Sequence, residues 1–319
     1  MKALQFSRTG DLDSLELVEL PDPAPAQGEV LVQIKAAGLN PSDVKNVLGR
    51  FPYTTLPRVP GRDFSSTVVD GPVHLLGKDV WGTGNQIGFS RNGSHAGYIA
   101  LSAQGVALKP DALTHVQAAS LGVPYTTAWD ALERSQVGAG TRLVVIGANG
   151  AVGSAAIALA RVRGAHVLAA VRRPEQLKAL EERGFDTIVL STPETLAAQV
   201  NAHYTGGADV VFDTTGFWLP GAVSALAPFG RIAIIAAPVD GHVQLPALAL
   251  YRKGGSVVGI NSLLYSVDAC ARMLEQFGQW FDEGLLPLPS GLIESPLHEG
   301  MARYTEVNQG RSDKIILLP

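Results

Sequence analysis

Three glycines and, about 20 residues further on, two arginines are the residues whose types and spacing could do chemistry. From Arg142 to Leu159 the chain reads Arg-Leu-Val-Val-Ile-Gly-Ala-Asn-Gly-Ala-Val-Gly-Ser-Ala-Ala-Ile-Ala-Leu. Gly147, Gly150 and Gly153 punctuate it at a point where glycine is useful, because glycine accepts positive φ and lets backbone come close to a phosphate. The first amides of a helix that follows then turn their partial positive charge toward the ligand. The chemistry is that of a cradle for the pyrophosphate of a dinucleotide. The spacing departs from a strict G-x-G-x-x-G: Ala148 stands where the first glycine would be, with Gly147 just before it. An ordinary strand-to-helix turn in another α/β domain would use the same residues.

The arginines close the next apolar run, Gly164 to Val171. A dinucleotide fold expects an acidic residue there, to hold the ribose hydroxyls. No carboxylate is present; Val171 is followed by Arg172, Arg173 and then Pro174, which opens a new helix. Guanidinium groups fork onto phosphate oxygens, so a 2′-phosphate suits this place and NADP(H) is favoured over NAD(H). A solvated basic pair at a helix start is the alternative.

The elements that must position these residues follow from the apolar pattern. Leu143 to Ile146 is a buried, parallel type of strand, and the Ala-rich run after Gly153 is a helix able to pack closely on a sheet. Short apolar runs recur at Thr187 to Leu190, Asp209 to Phe212, Arg231 to Ile235 and Ser256 to Ile260, with helical patterns between them. This alternation predicts a doubly wound parallel sheet, a Rossmann-type α/β domain. Before it the chain is β-rich and heavily punctuated: Leu15 to Leu20, Glu29 to Ala36, Ser66 to Val69, Asp79 to Gly82 and Gly97 to Leu101 read as strands of a small barrel or rolled sheet. Thr114 and Gln117 form a capping box for a short helix to Leu121. Gly122 and Pro124 then separate it from a second helix, Thr126 to Ser135. After Val267 to Glu283, an amphipathic helix, Lys314 to Leu318 ends as a strand that returns to the first domain. The boundaries expected are 1–122 with 264–319 for the β-rich domain and 123–263 for the nucleotide domain.

Composition limits the function classes. With 319 residues, 46% hydrophobic, 17% charged and a net charge of -4, the chain is a well-buried globular protein with no basic surplus for nucleic acid. Cys270 is the sole cysteine, which excludes an internal disulfide and a Cys-rich zinc lobe. The start, Met1 to Phe6, alternates like a strand and lacks the apolar core of a signal peptide. The uncharged run from Leu143 to Ala160 is long enough to span a bilayer, but its Gly and Asn cluster and flanking Arg142 and Arg161 argue for a soluble domain. A cytoplasmic location is expected.

Several stretches, taken together and in order, resemble the medium-chain dehydrogenase/reductase superfamily, and within it the zinc-independent quinone oxidoreductase group. They are Gly38-Leu39-Asn40-Pro41-Ser42-Asp43, Pro60-Gly61-Arg62-Asp63, Leu121 to Ala128, Asp209 to Gly216, Gly230-Arg231-Ile232 and Lys314-Ile315-Ile316-Leu317. The resemblance implies a GroES-like fold for the β-rich catalytic domain. It also places Asn40 and Arg62 at the first two zinc-ligand positions of the metal-bearing members, with Val123 at a third. None of these is a zinc ligand, and the seven histidines are scattered, so no metal is expected.

The resemblance implies transfer of a hydride from NADPH to quinones. The alternatives are reduction of α,β-unsaturated carbonyls and, from another class, an NADPH-binding or sensing protein without turnover. Acceptors polarised by conjugation need only hydrogen-bond donors at their oxygen. Asn40 is the donor that the resemblance implies, and a loop-capping role before Pro41 is its alternative. Two tyrosines common in the group are replaced here by Lys45 and Phe51, with Tyr53 two residues on. Lys45 would donate to a carbonyl or sit in a surface ion pair. For the cofactor, the resemblance implies Thr127 and the turn Ala148, Asn149, Gly150, Ala151, Val152 and Gly153 on the pyrophosphate path, and Arg172 and Arg173 at the adenosine phosphate. Thr214, Thr215 and Gly216 would follow a strand at the carboxyl edge of the sheet, as would Ala236, Ala237 and Pro238, and then Asn261 and Ser262. A homodimer that pairs the strand Ser256 to Ile260 across a two-fold axis is also implied.

Overall fold

A computed structural model describes residues 1–311 and 313–319. The chain opens with β1 (Lys2–Phe6) and β2 (Leu15–Glu19), an antiparallel pair. It continues through β3 (Glu29–Leu39), α1 (Pro41–Val47), β4 (Asp63–Asp70), β5 (Asp79–Gly82), β6 (Tyr98–Ser102), β7 (Ala107–Leu108), α2 (His115–Ala119) and α3 (Gly122–Arg134). Strands and helices then alternate: β8 (Arg142–Ile146), α4 (Ala151–Val162), β9 (His166–Val171), α5 (Glu175–Glu181), β10 (Asp186–Val189) and α6 (Pro193–His203). The same alternation runs on through β11 (Ala208–Asp213), α7 (Leu219–Ala225), β12 (Leu226–Ile234), α8 (Ala247–Arg252) and β13 (Ser256–Gly259). The tail adds α9 (Val267–Asp282), β14 (Ile293–Pro296), α10 (Gly300–Asn308) and β15 (Ile315–Leu318). Contacts divide the chain into two units, Met1–Thr126 with Ser262–Pro319, and Thr127–Asn261.

The first unit is built on β3. Its residues alternate between the two faces, so Val30, Val32 and Ile34 point into one core with Phe64, Val68, Val80, Ile99 and Leu101. The seven-stranded sheet runs β14-β15-β3-β4-β5-β7, with β6 also paired to β3. The tail therefore does return: Ile315, Ile316 and Leu317 pair antiparallel with Leu39, Gly38 and Ala37. A second core joins both ends of the sequence, packing Leu4, Phe6 and Leu15 with Leu39, Val44, Tyr304, Ile315 and Leu317. The Thr114–Gln117 capping box is present: Thr114 Oγ1 accepts from the Gln117 amide at 3.2 Å, and Gln117 Oε1 accepts from the Thr114 amide at 3.0 Å.

The second unit is a six-stranded, all-parallel sheet in the order β10-β9-β8-β11-β12-β13. Leu143, Val144, Val145 and Ile146 of β8 are all fully buried, which explains their unbroken apolar run. The strand order reverses between β8 and β11, so the crevice for a ligand lies at the carboxyl ends of these strands. β10 and β13 are the sheet's edge strands.

Two expectations about local structure are corrected. The helix placed at Thr126 to Ser135 begins at Gly122, because Pro124 lies in its first turn, where a missing N–H and a fixed φ are tolerated. The strand placed at Arg231 to Ile235 begins at Leu226, and its pairing with β11 shifts register between Ala208 and Val210. That irregularity absorbs Phe229, a non-glycine residue at φ 62°. No helix among the described residues is long and apolar enough to cross a membrane.

Candidate active site

The nucleotide end of the second unit is made mostly of backbone. At the end of β8 the chain turns at Gly147, which adopts φ 78°. Positive φ thus falls one residue before the position where the fingerprint expects its first glycine, and Ala148 fits there, fully buried. The amides of Gly147 and Ala148 both donate to Ala170 O, at 3.1 and 3.2 Å, tying the turn to β9. Asn149, Gly150 and Ala151 are exposed, and Gly150 caps α4. Gly153 faces inward, and a Cβ on it would come within 2.2 Å of Gly147 O and 2.9 Å of Ala148 Cα. Only glycine lets the first turn of α4 come this close to the loop. Val152 is half-buried beside it, and Ser154 Oγ donates to Ala148 O at 3.1 Å.

The neighbouring strand ends complete this edge. Asp213, fully buried at the end of β11, organises the next loop. Its Oδ1 accepts from the amide and hydroxyl of Thr215, both at 2.8 Å, and from the Gly216 amide at 3.0 Å, while its Oδ2 accepts from the Trp218 amide at 2.9 Å. Thr214 is held by its hydroxyl, which donates to Ile146 O at 2.8 Å. Gly216 packs against Ala236 and Ala237; those two and Pro238 follow β12. Arg172 and Arg173 are exposed beyond the end of β9. Thr127 is buried at the start of this unit. Asn261 is its last residue, and Ser262 belongs by contacts to the other unit.

These residues fit a dinucleotide. The cradle has room only for glycine at Gly153, the free amides of α4 point to the strand ends, and two cationic side chains stand where an adenosine phosphate would lie. Sequence reasoning missed Asp213. A carboxylate closing an apolar strand just before Thr-Thr-Gly was the available signal.

In the first unit the candidate chemistry is made of side chains. Asn40 caps α1 and is buried. Its amide donates to Asp43 Oδ2 at 2.8 Å, its Nδ2 donates to Asp63 Oδ2 at 2.9 Å, and its Oδ1 accepts from Lys314 Nζ at 2.6 Å. Lys314 Nζ also lies 3.7 Å from Asp63 Oδ2. Asp63 Oδ1 accepts from the Val123 amide at 2.8 Å. Asn40 is therefore both a cap and a network member, with one Nδ2 hydrogen left to offer. Burial pushes the Asp43 carboxyl up to about 7, against the pull of the Asn40 amide, and pulls the Lys314 ammonium below its ordinary range, against Asp63 and Asp43. Beside them His95 is held neutral, its value lowered to about 3 by burial; its Nδ1 lies 2.8 Å from the Tyr304 hydroxyl.

Arg62 is fully buried. Its Nε donates to Gly84 O at 3.1 Å, but its Nη2 has no partner. The guanidinium stands 6.0 Å from the centroid of the Phe89 ring. Phe51 and Tyr53 pack on that same ring, with centroids at 5.1 and 5.6 Å. Tyr53 is 49% exposed, and burial raises its phenol while the Arg62 charge opposes the rise. Lys45 is exposed in the last turn of α1.

The residues at the zinc-ligand positions do not fit a zinc ion. The Asn40 carboxamide is committed at both ends, Arg62 carries a cation that would repel the metal, and the side chain of Val123 offers no donor. Among the described residues no group of three His, Cys, Asp or Glu is placed to hold a metal.

A family model described as a zinc-binding dehydrogenase matches residues 151–278, and one described as an alcohol dehydrogenase GroES-like domain matches residues 26–111. The chain is 36% identical over 295 residues to a zinc-type alcohol dehydrogenase-like protein of Schizosaccharomyces pombe, covering 89% of this chain and 86% of that protein. The chain belongs to the medium-chain dehydrogenase/reductase superfamily. Its α/β architecture of a GroES-like unit and a Rossmann-type unit is that of the superfamily, whose oxidoreductases use nicotinamide cofactors. A 2-methylene-furan-3-one reductase of Solanum lycopersicum is 35% identical over 229 residues, 68% of this chain and 57% of that protein. A quinone oxidoreductase of Pseudomonas syringae pv. Tomato DC3000 superposes with a TM-score of 0.86 at 25% identity, covering 100% of this chain and 99% of that one.

Proposed function

We propose that this dehydrogenase/reductase is a zinc-independent, NADPH-dependent reductase of quinones, working in the cytoplasm as a homodimer. The observation that carries the reading is the filling of the zinc-ligand positions by Asn40 and Arg62, an amide already engaged at both ends and a cation. When bound, the dihydronicotinamide supplies two electrons and one hydrogen, and the acceptor takes a second proton from water. An acceptor already polarised by conjugation needs no Lewis acid, only donors and positive potential near its oxygen. Thr127, the turn from Ala148 to Gly153, and Thr214 to Gly216 would hold the dinucleotide, with Arg172 and Arg173 on its 2′-phosphate. Ala236 to Pro238 and Asn261 to Ser262 complete the proposed set.

Reduction of activated alkenes is the second reading, favoured by the tomato relative, whose name is that of a methylene-furanone reductase. A binding protein without turnover is separated from both by one assay. Loss of NADPH absorbance is followed with a panel of quinones and enones, beside an NADPH binding titration and elemental analysis. Turnover of quinones without bound zinc supports the proposal. Turnover confined to enones moves it to the second reading, and tight binding without consumption of NADPH across the panel refutes both.

The dimer rests on β13, an edge strand that pairs on one side only within the chain. Tyr251, just before that strand in sequence, and Phe229, whose ring lies against Gly254, are exposed. Val258→Pro removes a ladder donor, so a folded Val258→Pro variant is expected to run as a monomer in solution while wild type runs at twice the monomer mass. A monomeric wild type at micromolar concentration would end the idea.

A further inference from the structure

We infer that Arg62 marks a binding subsite for an oxygen anion on a conjugated ring, the form the acceptor takes as charge collects on its oxygen. This deepens the reductase reading and rests on it for the identity of the acceptor. Arg62 has a buried guanidinium, and among the described residues no carboxylate forms an ion pair with it. Asp63, its neighbour in sequence, is turned to Asn40, Lys314 and the Val123 amide instead. One Nη2 nitrogen is left with no acceptor at all. A buried cation with an unmade hydrogen bond is costly unless something anionic completes it.

What surrounds the guanidinium selects the anion. Phe89 lies under it, with Phe51 and Tyr53 packed on Phe89. Phe89 is itself buried, so the aromatic surface open to a ligand in this group is that of half-exposed Tyr53, on which a planar ring bearing O⁻ can stack. Cys270, whose thiol is also felt by the Arg62 charge, stays protonated, pushed up to about 11 by burial. It therefore does not compete as the anion. A bound dihydronicotinamide would supply the acceptor a hydride, two electrons and one proton, and would itself become NADP⁺. The negative charge left on the acceptor oxygen faces Nη2 until a proton from water quenches it. A guanidinium in this place does by fixed charge what a metal ion does by coordination. Nη2 is sealed from solvent in the present conformation, so binding there requires local movement of the groups packed around it.

The test uses 4-nitrophenol as the probe, because its phenolate absorbs in the visible and its neutral form does not. The protein, saturated with NADP⁺, is titrated across pH. Wild type is expected to lower the apparent pKa of bound 4-nitrophenol by about one pH unit or more, as an opposite charge nearby does. Arg62→Met is expected to bind the phenolate at least tenfold more weakly while binding neutral 4-nitrophenol and NADP⁺ within about twofold of wild type. Arg62→Lys is expected to keep part of the phenolate preference, since it keeps the charge and loses the fork. A role in folding alone would not change the ratio of phenolate to phenol binding. If Arg62→Met fails to fold, the wild-type titration decides. Wild type that binds the neutral phenol as well as the phenolate overturns the inference, and quinone turnover by that same protein leaves the reductase reading standing. Phenolate preference without NADPH consumption supports the subsite and removes the reductase reading.

Discussion

The nucleotide edge of the second unit and the polar cluster of the first unit solve the same problem, holding charge, with different materials. At the nucleotide edge the working groups are amides of a turn and a helix, fixed by Gly147, Gly153 and the four hydrogen bonds of Asp213. In the cluster they are side chains, Asn40, Asp43, Asp63 and Lys314, gathered from three separate stretches and largely removed from water, with buried Arg62 next to Asp63 in sequence. Backbone donors come with the fold and tolerate change in the side chains around them. A buried side-chain network is satisfied only when every member is present. The two regions are therefore expected to fail differently.

The sharpest break is Lys314→Met. It leaves the Asp63 carboxylate buried without its cation and the Asn40 carbonyl without its donor. Removing one member of a buried charge pair costs about 3–5 kcal/mol. Denaturant unfolding should show a loss of that order, and a loss below about 1 kcal/mol would mean that the network is not a structural unit.

At the nucleotide edge, Gly153→Ala forces a methyl against Gly147 O and must push α4 off the loop. Overpacking of this kind costs about 1–3 kcal/mol. Here the expected loss is chiefly in NADPH affinity, read by fluorescence titration, with the first unit's stability unchanged. Unaltered affinity would show that the cradle is not where the pyrophosphate binds.

A smaller effect is expected from Arg172→Ala combined with Arg173→Ala. Wild type should prefer NADPH to NADH by about tenfold or more, from charge-assisted hydrogen bonds worth roughly 1.5–3 kcal/mol each, and the double variant should lose that preference. Both side chains are exposed, so folding should be unaffected. Equal affinities in wild type would sink the NADP assignment.

The last effect is one of slope. Asp43 binds its proton more tightly folded, at about 7, than its ordinary 3.8. Its contribution to stability is full below that lower value and is lost as pH rises to about 7. His95 does the reverse: its folded value is about 3 against an ordinary 6.5, so its contribution is present above 6.5 and is lost as pH falls. Between about pH 4 and 6.5 the two slopes oppose each other. Asp43→Asn should leave a stability that climbs with pH over this window, while His95→Gln should leave one that declines. Identical profiles for both variants and wild type would show that neither group titrates as its burial implies.

The same contrast explains what could be read without coordinates. The parallel sheet, the glycine turn and the closing strand were legible, because each is written as a local period or a local spacing. Even the displaced glycine was visible as a departure, though only the backbone shows that Gly147 takes the positive φ. The cluster was legible in Asn40 alone, and through resemblance. Its partners are 23 and 274 residues away, and no local pattern joins Asn40 to Asp63 or to Lys314. Lys314 looked like the polar start of an apolar strand. Arg62 looked like a lost metal ligand and not a buried cation. Lys45, singled out by its position, lies in the open on α1.

The pairing of β15 with β3 has a consequence for synthesis on the ribosome. The first unit cannot complete its sheet until residues 315–317 have emerged, because they form the neighbour of Leu39, Gly38 and Ala37. Lys314 arrives in the same moment. Until then Asn40 and Asp63 have no ammonium to share, while residues 127–261, whose sheet is complete without the tail, can already fold. The second unit is thus free to mature first, and the polar cluster of the first unit is assembled only after it.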